Sequence, residues 1–367
     1  MNLRIAKNEI LRGLYLTHGI ADRKSTIPIL ANVLLRTVAK DRVLFAATDL
    51  KVTMTVSAKA DVSEEGGITV GARQLYEIVK GMAGDDVHLQ RTEQNWLCLE
   101  SGPSEFKVVG MSDRDFPRLA SVEEIPCGKV EAAVLSDMIA KTIVSVSQDD
   151  TRPHLASVLF ESDGERTTMV STDGHRLSKV SCEMPGGPKV PAGVLVPRKG
   201  ISEIRRALEG KEGSCDIGVD QGLFVLKSED MMLSVKLSEG QFPAYDQVIP
   251  KDNEKKVIVA RDAFLDVLRR VSIIASDKTW GIRLSIEKGK LSIEADNPDL
   301  GNARDRIDVE YKGPALQVGF NARYFIDFLA EMASKDVCVE LGGDLDPALL
   351  KPCDGRDYLG VIMPMRL

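Results

Sequence analysis

The sequence predicts an α+β fold made of three tandem copies of one unit, each with two helices packed on antiparallel sheets. Three observations predict it. Thr172-Asp173-Gly174-His175-Arg176-Leu177 is echoed by Thr48-Asp49-Leu50, 124 residues earlier, and by Ala295-Asp296-Asn297, 123 later. Ala72-Arg73, Pro197-Arg198 and Ala322-Arg323 place their arginines 125 residues apart, then 125 again. An apolar residue followed by proline closes each unit, as Phe116-Pro117, Phe242-Pro243 and Met363-Pro364. A fixed period of this length sets the architecture, because each unit is one structural repeat. At 367 residues the chain is too long for one ordinary core, and the repeat divides it into 1–122, 128–250 and 256–367.

Each element follows from its pattern. A first helix precedes every Asp turn, at Glu9 to Gly19, Ala132 to Ser147 and Ala263 to Ala275; in the first, Ile10, Leu11, Leu14 and Tyr15 share a face. A second helix follows each Arg, over Gln74 to Met82, Gly200 to Leu208 and Tyr324 to Met332. From Lys51 to Val62 apolar and polar residues alternate, which predicts one half-buried strand of an antiparallel sheet. Leu233, Val235 and Leu237 alternate with serines and a lysine, and Leu291, Ile293 and Ala295 repeat the period of two. Connections between these strands are too short for helical crossovers, so the sheets are antiparallel. Asp49, Asp173 and Asp296 each lie at a turn where a carboxylate can accept bonds from nearby backbone N–H groups.

Composition excludes several function classes. With 43% hydrophobic and 28% charged residues the chain is globular, no apolar run reaches membrane-spanning length, and the N-terminus lacks a signal-peptide apolar region. A cytoplasmic location is expected. Six cysteines occur without a Cys-x-x-Cys pair, and four histidines without a metal motif or a glycine-rich phosphate loop. No cofactor and no metal are expected. A net charge of −7 argues against a protein that grips DNA by neutralising phosphates.

Taken together, Ile27-Pro28-Ile29-Leu30, Ala47-Thr48-Asp49-Leu50, the Thr172 to Leu177 stretch, Val196-Pro197-Arg198-Lys199-Gly200, Phe242-Pro243 and the terminal Val361 to Leu367 resemble the beta subunit of bacterial DNA polymerase III, the sliding-clamp family, over the whole length. The resemblance implies three clamp domains of the processivity fold. It also implies a head-to-tail homodimer forming a ring around double-stranded DNA, without catalytic activity. Implied partners are the replicative polymerase alpha-type subunit, a clamp loader and other proteins carrying a clamp-binding motif, with no membrane. Enclosure removes the charge objection, and the predicted helices carry more Lys and Arg than Asp and Glu although the chain is acidic.

The resemblance also implies sites. Leu155, Thr172, Gly174, His175, Arg176, Leu177, Pro243, Val248, Asn321, Tyr324, Val361, Ile362, Met363, Pro364, Met365, Arg366 and Leu367 match a pocket that receives a partner's peptide. Its aliphatic and Met side chains adapt to varied partners, and a few polar groups fix the peptide backbone. Lys24, with Arg23 beside it, Arg73, Gln148, Asp150, Arg152, His154, Arg198 and Lys199 match DNA-contact positions. At the dimer interface, Glu105, Phe106 and Val108 on one edge strand are expected to meet Arg304 on another, with Ile273 and Ile274 as apolar cover. Glu105 and Arg304 read as an ion pair between subunits. The chain departs from relatives at Gln247, Thr279-Trp280 and Pro153-His154. A competing reading from another class is a nucleic-acid-processing enzyme using Asp173, His175 and Arg176, although neighbours on one turn seldom converge as a catalytic group does.

Overall fold

The computed structural model describes residues 1–22, 25–119, 122–276 and 278–366. Six α-helices occur among them, in three pairs: α1 (Lys7–His18) and α2 (Ala72–Gly81), α3 (Ala132–Ile143) and α4 (Arg198–Leu208), α5 (Arg261–Ser272) and α6 (Ala322–Ala330). None is long and apolar enough to cross a membrane. α3 stops at Ile143, short of the predicted Ser147, since Ser145 and Val146 make i→i−3 bonds that tighten the last turn. The predicted strand from Lys51 to Val62 is two strands, Val52–Lys59 and Asp61–Glu64. Ala60 leaves the first ladder and donates its N–H to the Asp41 carbonyl.

Contacts divide the chain into two bodies. The first comprises Met1–Ala133, Gly186–Val190 and Lys199–Leu237. Its thirteen described strands form one continuous antiparallel sheet in which Val52–Lys59 of the first repeat pairs with Met231–Lys236, the last strand of the second. The ladder sets Val56 opposite Met231, Met54 opposite Leu233 and Val52 opposite Val235, and all six side chains are buried. A core that runs across the repeat boundary is why contacts do not separate the first two repeats.

The second body comprises Val134–Pro185, Pro191–Arg198 and Ser238–Leu367, whose last residue is undescribed. An eight-stranded sheet repeats the device, pairing Arg176–Glu183 of the second repeat with Tyr358–Ile362, the last strand of the third. A separate four-stranded sheet carries Gly301–Asp308 on its edge.

Ladder register fixes which residues of the repeats correspond, and it corrects two sequence alignments. At the mouth of the turn Thr48 faces Thr53, Thr172 faces Leu177, and Asp296 faces Asn302. Asp49 and Asp173 therefore correspond to Asn297, not to Asp296. The bonding agrees: Asp49 Oδ1 accepts from Lys51 and Val52, Asp173 Oδ1 from His175 and Arg176, and Asn297 Oδ1 from Asp299. One extra residue lengthens the third turn, which encloses five residues against four in the other two. Likewise Gly71, Pro197 and Asn321 end equivalent strands, so the counterpart of Arg73 and Arg323 is Lys199, and Arg198 lies one place earlier. The apolar-Pro closures are not equivalent either. Phe116 and Phe242 are buried in apolar clusters, whereas Met363 is 40% exposed directly after the last strand.

Gly200, the counterpart of Tyr324, leaves no room for a side chain, because a Cβ there would lie 2.3 Å from Val235 Cγ1. Gly200→Ala is expected to destabilise the protein by about 1–3 kcal/mol through overpacking, measured by chemical denaturation.

Candidate functional site

The second repeat's Asp turn and the C-terminal segment build one apolar socket. Thr172 Oγ1 donates to the Arg176 carbonyl at 2.6 Å and accepts from the Gly174 N–H, which holds the turn closed. Gly174 has φ +91°, a conformation costly for residues with a Cβ. Leu177 faces Val361 across the ladder, and both join a buried cluster with Leu159, Val170, Leu195, Phe242 and Leu349. Tyr245, Ile249 and Leu359 pack at its margin. Above this floor Val248 is 51% exposed and Met363 40% exposed, apolar surface left without cover in the isolated chain.

The tail is pinned by its backbone. Met363 N–H donates to the His175 carbonyl and Met365 N–H to the Gly319 carbonyl, both at 2.9 Å. Pro364 and Met365 are half-buried, and Arg366 is exposed. Strand alternation puts Ile362 on the face opposite Val361, in the core rather than in the socket. Leu155 is buried, Pro243 and His175 are exposed, and Asn321 caps α6 by accepting from the Arg323 N–H. Leu367 lies outside the described residues.

One side of the socket is polar and tightly ordered. The Arg176 guanidinium donates to Asp173 Oδ2 at 3.1 Å and to Asp327 Oδ2 at 2.6 Å, and its Cζ lies 4.5 Å from the centre of the Tyr324 ring. Burial, and then the Asp173 carboxylate, push the Tyr324 phenol above its usual range, so the ring stays neutral. Asp327 escaped the sequence reading. Its signal was an acidic residue at one place in each second helix, Glu77, Glu203 and Asp327.

The first body shows why its own repeat junction offers no such socket. There Thr53 stands for Leu177, Lys51 for His175 and Ser234 for Val361. The linker residues Val122 and Ile125 are buried against Val225, which corresponds to Leu349. The same backbone plan thus carries a polar, covered face at one junction and an open apolar one at the other.

Three of the candidate DNA positions are basic groups already facing carboxylates. Arg198 lies 3.5 Å from Asp150, Arg152 donates to Asp149 at 2.9 Å, and Lys199 pairs with Asp49. The Thr151 hydroxyl and then Arg152 hold the Asp149 carboxyl below its usual range. Arg73 and Gln148 are exposed and His154 is half-buried. A phosphate approaching these groups competes with in-chain carboxylates, which favours weak contact. Lys24 and Arg23 lie outside the described residues.

At the candidate interface, Ser104–Met111 is paired to Trp96–Ser101 on one side, and on the other only Gly110 and Met111 reach a neighbour. Glu105 and Phe106 are exposed there, and Val108 is buried. On Gly301–Asp308, Arg304 pairs with Glu294 at 2.8 Å in its own sheet, and Arg270 donates to Asp305 at 2.7 Å. That guanidinium, then the Arg306 N–H, holds the Asp305 carboxyl below its usual range. Ile273 is 74% exposed beside a half-buried Ile274. A concavity of about 490 Å³ opens beside this strand, lined by Arg283, Glu294, Ala295, Asp296, Ala303 and Arg304 among others.

Comparison with known proteins gives one result along the whole chain. The N-terminal, central and C-terminal domains of the DNA polymerase III beta subunit match residues 1–120, 129–244 and 246–366. The chain is 34% identical to the beta sliding clamp of Pseudomonas putida and 30% identical to that of Escherichia coli, with all of both chains covered in each case. It is similar to the crystal structure of the DNA polymerase III subunit beta from Pseudomonas aeruginosa, at 32% identity and TM-score 0.92 over all of both chains. It is also similar to a sliding clamp from Bartonella birtlesii bound to griselimycin, at 30% identity and TM-score 0.93 over all of both chains. Three tandem clamp domains matched end to end establish that this chain belongs to the DNA polymerase III beta subunit family, the bacterial beta sliding clamps.

Proposed function

We propose that two copies of this chain close head to tail into a ring around duplex DNA and tether the replicative polymerase, a clamp loader and other motif-bearing proteins in the cytoplasm. One observation carries the proposal. Both repeat junctions inside the chain join the strand after an Asp turn to the last strand of the next repeat, and one strand of each kind is left over. Gly301–Asp308 follows the third turn, and Ser104–Met111 ends the first repeat; both keep an open edge among the described residues. Pairing them across two chains satisfies the exposed backbone groups, and two such contacts close the assembly.

The internal junctions also supply the register. Phe106 corresponds to Leu233, since each sits two places past its hairpin turn, and Ala303 corresponds to Met54. Because Leu233 faces Met54, Phe106 of one subunit faces Ala303 of the other, where a small residue leaves space for the ring. By the same shift Glu105 faces Arg304, with Ile273 and Ile274 beside Phe106. Domain limits of 1–122, 128–250 and 256–367 suit this plan.

Catalysis has no support at the Asp turn. Asp173 has one oxygen on backbone N–H groups and the other on Arg176, which leaves no free base beside His175. The decisive experiment loads the protein onto closed circular DNA and then linearises it. Retention before cutting and release after it support the ring. Retention on linear DNA, or turnover of nucleic acid that is lost in His175→Ala, would overturn it. Arg198→Glu with Lys199→Glu is expected to slow loading several-fold and to weaken low-salt DNA contact, with the dimer intact by analytical ultracentrifugation.

A further inference from the structure

We infer that Asp327 is a positioning residue for the peptide socket: it anchors Arg176 so that the guanidinium holds the Tyr324 ring as a fixed wall for an apolar side chain of the partner. This rests on the peptide-socket reading above. Three contacts converge on one guanidinium: Asp173 at 3.1 Å, Asp327 at 2.6 Å and the face of Tyr324 at 4.5 Å. Arg176 is only 13% exposed, and two carboxylates neutralise it, so it offers little to a charged ligand. A planar guanidinium can meet two carboxylates and a ring at once, which an ammonium cannot. Asp327 is itself placed one turn after Arg323, 4.0 Å away, and the Arg323 guanidinium lies 5.7 Å from the centre of the Trp280 ring.

The first body supplies an internal contrast. Glu203 occupies the corresponding place in α4 and is buried, but it is bonded to Arg206 of its own helix, and Gly200 stands where the aromatic wall would be. An acidic residue at this helical position therefore serves a local pair in one junction. In the other it reaches 151 residues back along the chain to a residue of the socket.

The test uses the full-length protein labelled with 3-fluorotyrosine. The chain has six tyrosines, and the Tyr324 fluorine signal is assigned with Tyr324→Phe. The probe is a fluorescent peptide spanning the clamp-binding motif of the cognate polymerase. Asp327→Asn is expected to raise the peptide Kd about tenfold and to move the Tyr324 resonance before peptide is added. Asp327→Glu is expected to restore part of both, and Arg176→Lys to resemble Asp327→Asn. In a Tyr324→Ala background, Asp327→Asn should add little. An unchanged Kd with an unmoved resonance overturns the inference, as does equal movement of all six signals, which marks general destabilisation. If the unaltered protein fails to bind the peptide, the socket reading falls, and the fluorine shift alone decides whether Asp327 positions Tyr324.

Discussion

A chain ending at Ile362 is expected to lose affinity for a polymerase-derived peptide by about 100-fold or more while remaining folded and dimeric. The magnitude follows from removing a central apolar anchor; such hot spots commonly contribute about 2–4 kcal/mol to binding. Met363 stands exposed over the floor made by Leu177, Val361 and Phe242, and its backbone and that of Met365 close one side of the socket. The truncation removes only residues beyond the last strand, so the Arg176–Glu183 ladder with Tyr358–Ile362 remains. Fluorescence anisotropy measures peptide affinity, and ultracentrifugation checks the dimer. Undiminished affinity would show that the tail forms no part of the site.

The second large effect concerns ring closure. Phe106→Ala is expected to raise the dimer dissociation constant about 30-fold or more, because the proposed strand pairing would cover a side chain that is 40% exposed in the isolated chain. The charged neighbours contribute less. Arg304 already has Glu294 at 2.8 Å, so in the proposed interface Glu105 of the partner subunit would join an existing pair rather than rescue a bare charge. An exposed pair is worth about 0–1 kcal/mol, so Glu105→Arg and Arg304→Glu should each weaken the dimer only a few-fold, with the double exchange recovering part of the loss. Sedimentation equilibrium on the three variants forms a double-mutant cycle. A coupling energy of zero removes this pair from the interface. A dimer indifferent to Phe106→Ala removes the edge strand itself.

The triplication, the six helices, the antiparallel sheets and the family were legible in the sequence because they depend on local periodicity and on landmarks that recur at one spacing. The proposed socket residues were gathered only through the resemblance, since Leu155, Thr172 and Val361 carry no chemistry in isolation. Three things needed tertiary structure. Asn297 rather than Asp296 serves the third turn, and Lys199 rather than Arg198 corresponds to Arg73, because register is set by backbone pairing and a lengthened turn shifts letters against positions. Asp327 meets Arg176 because the strand after the turn and α6 fold together from segments 151 residues apart, and no sequence pattern encodes that distance. The difference between the two junctions was likewise invisible in the repeat. Both follow one backbone plan, and only packing decides that Val122 and Ile125 cover the first while Val248 and Met363 leave the second open. Sequence periodicity fixes which face of a strand is apolar; what covers that face is settled by segments distant in the chain.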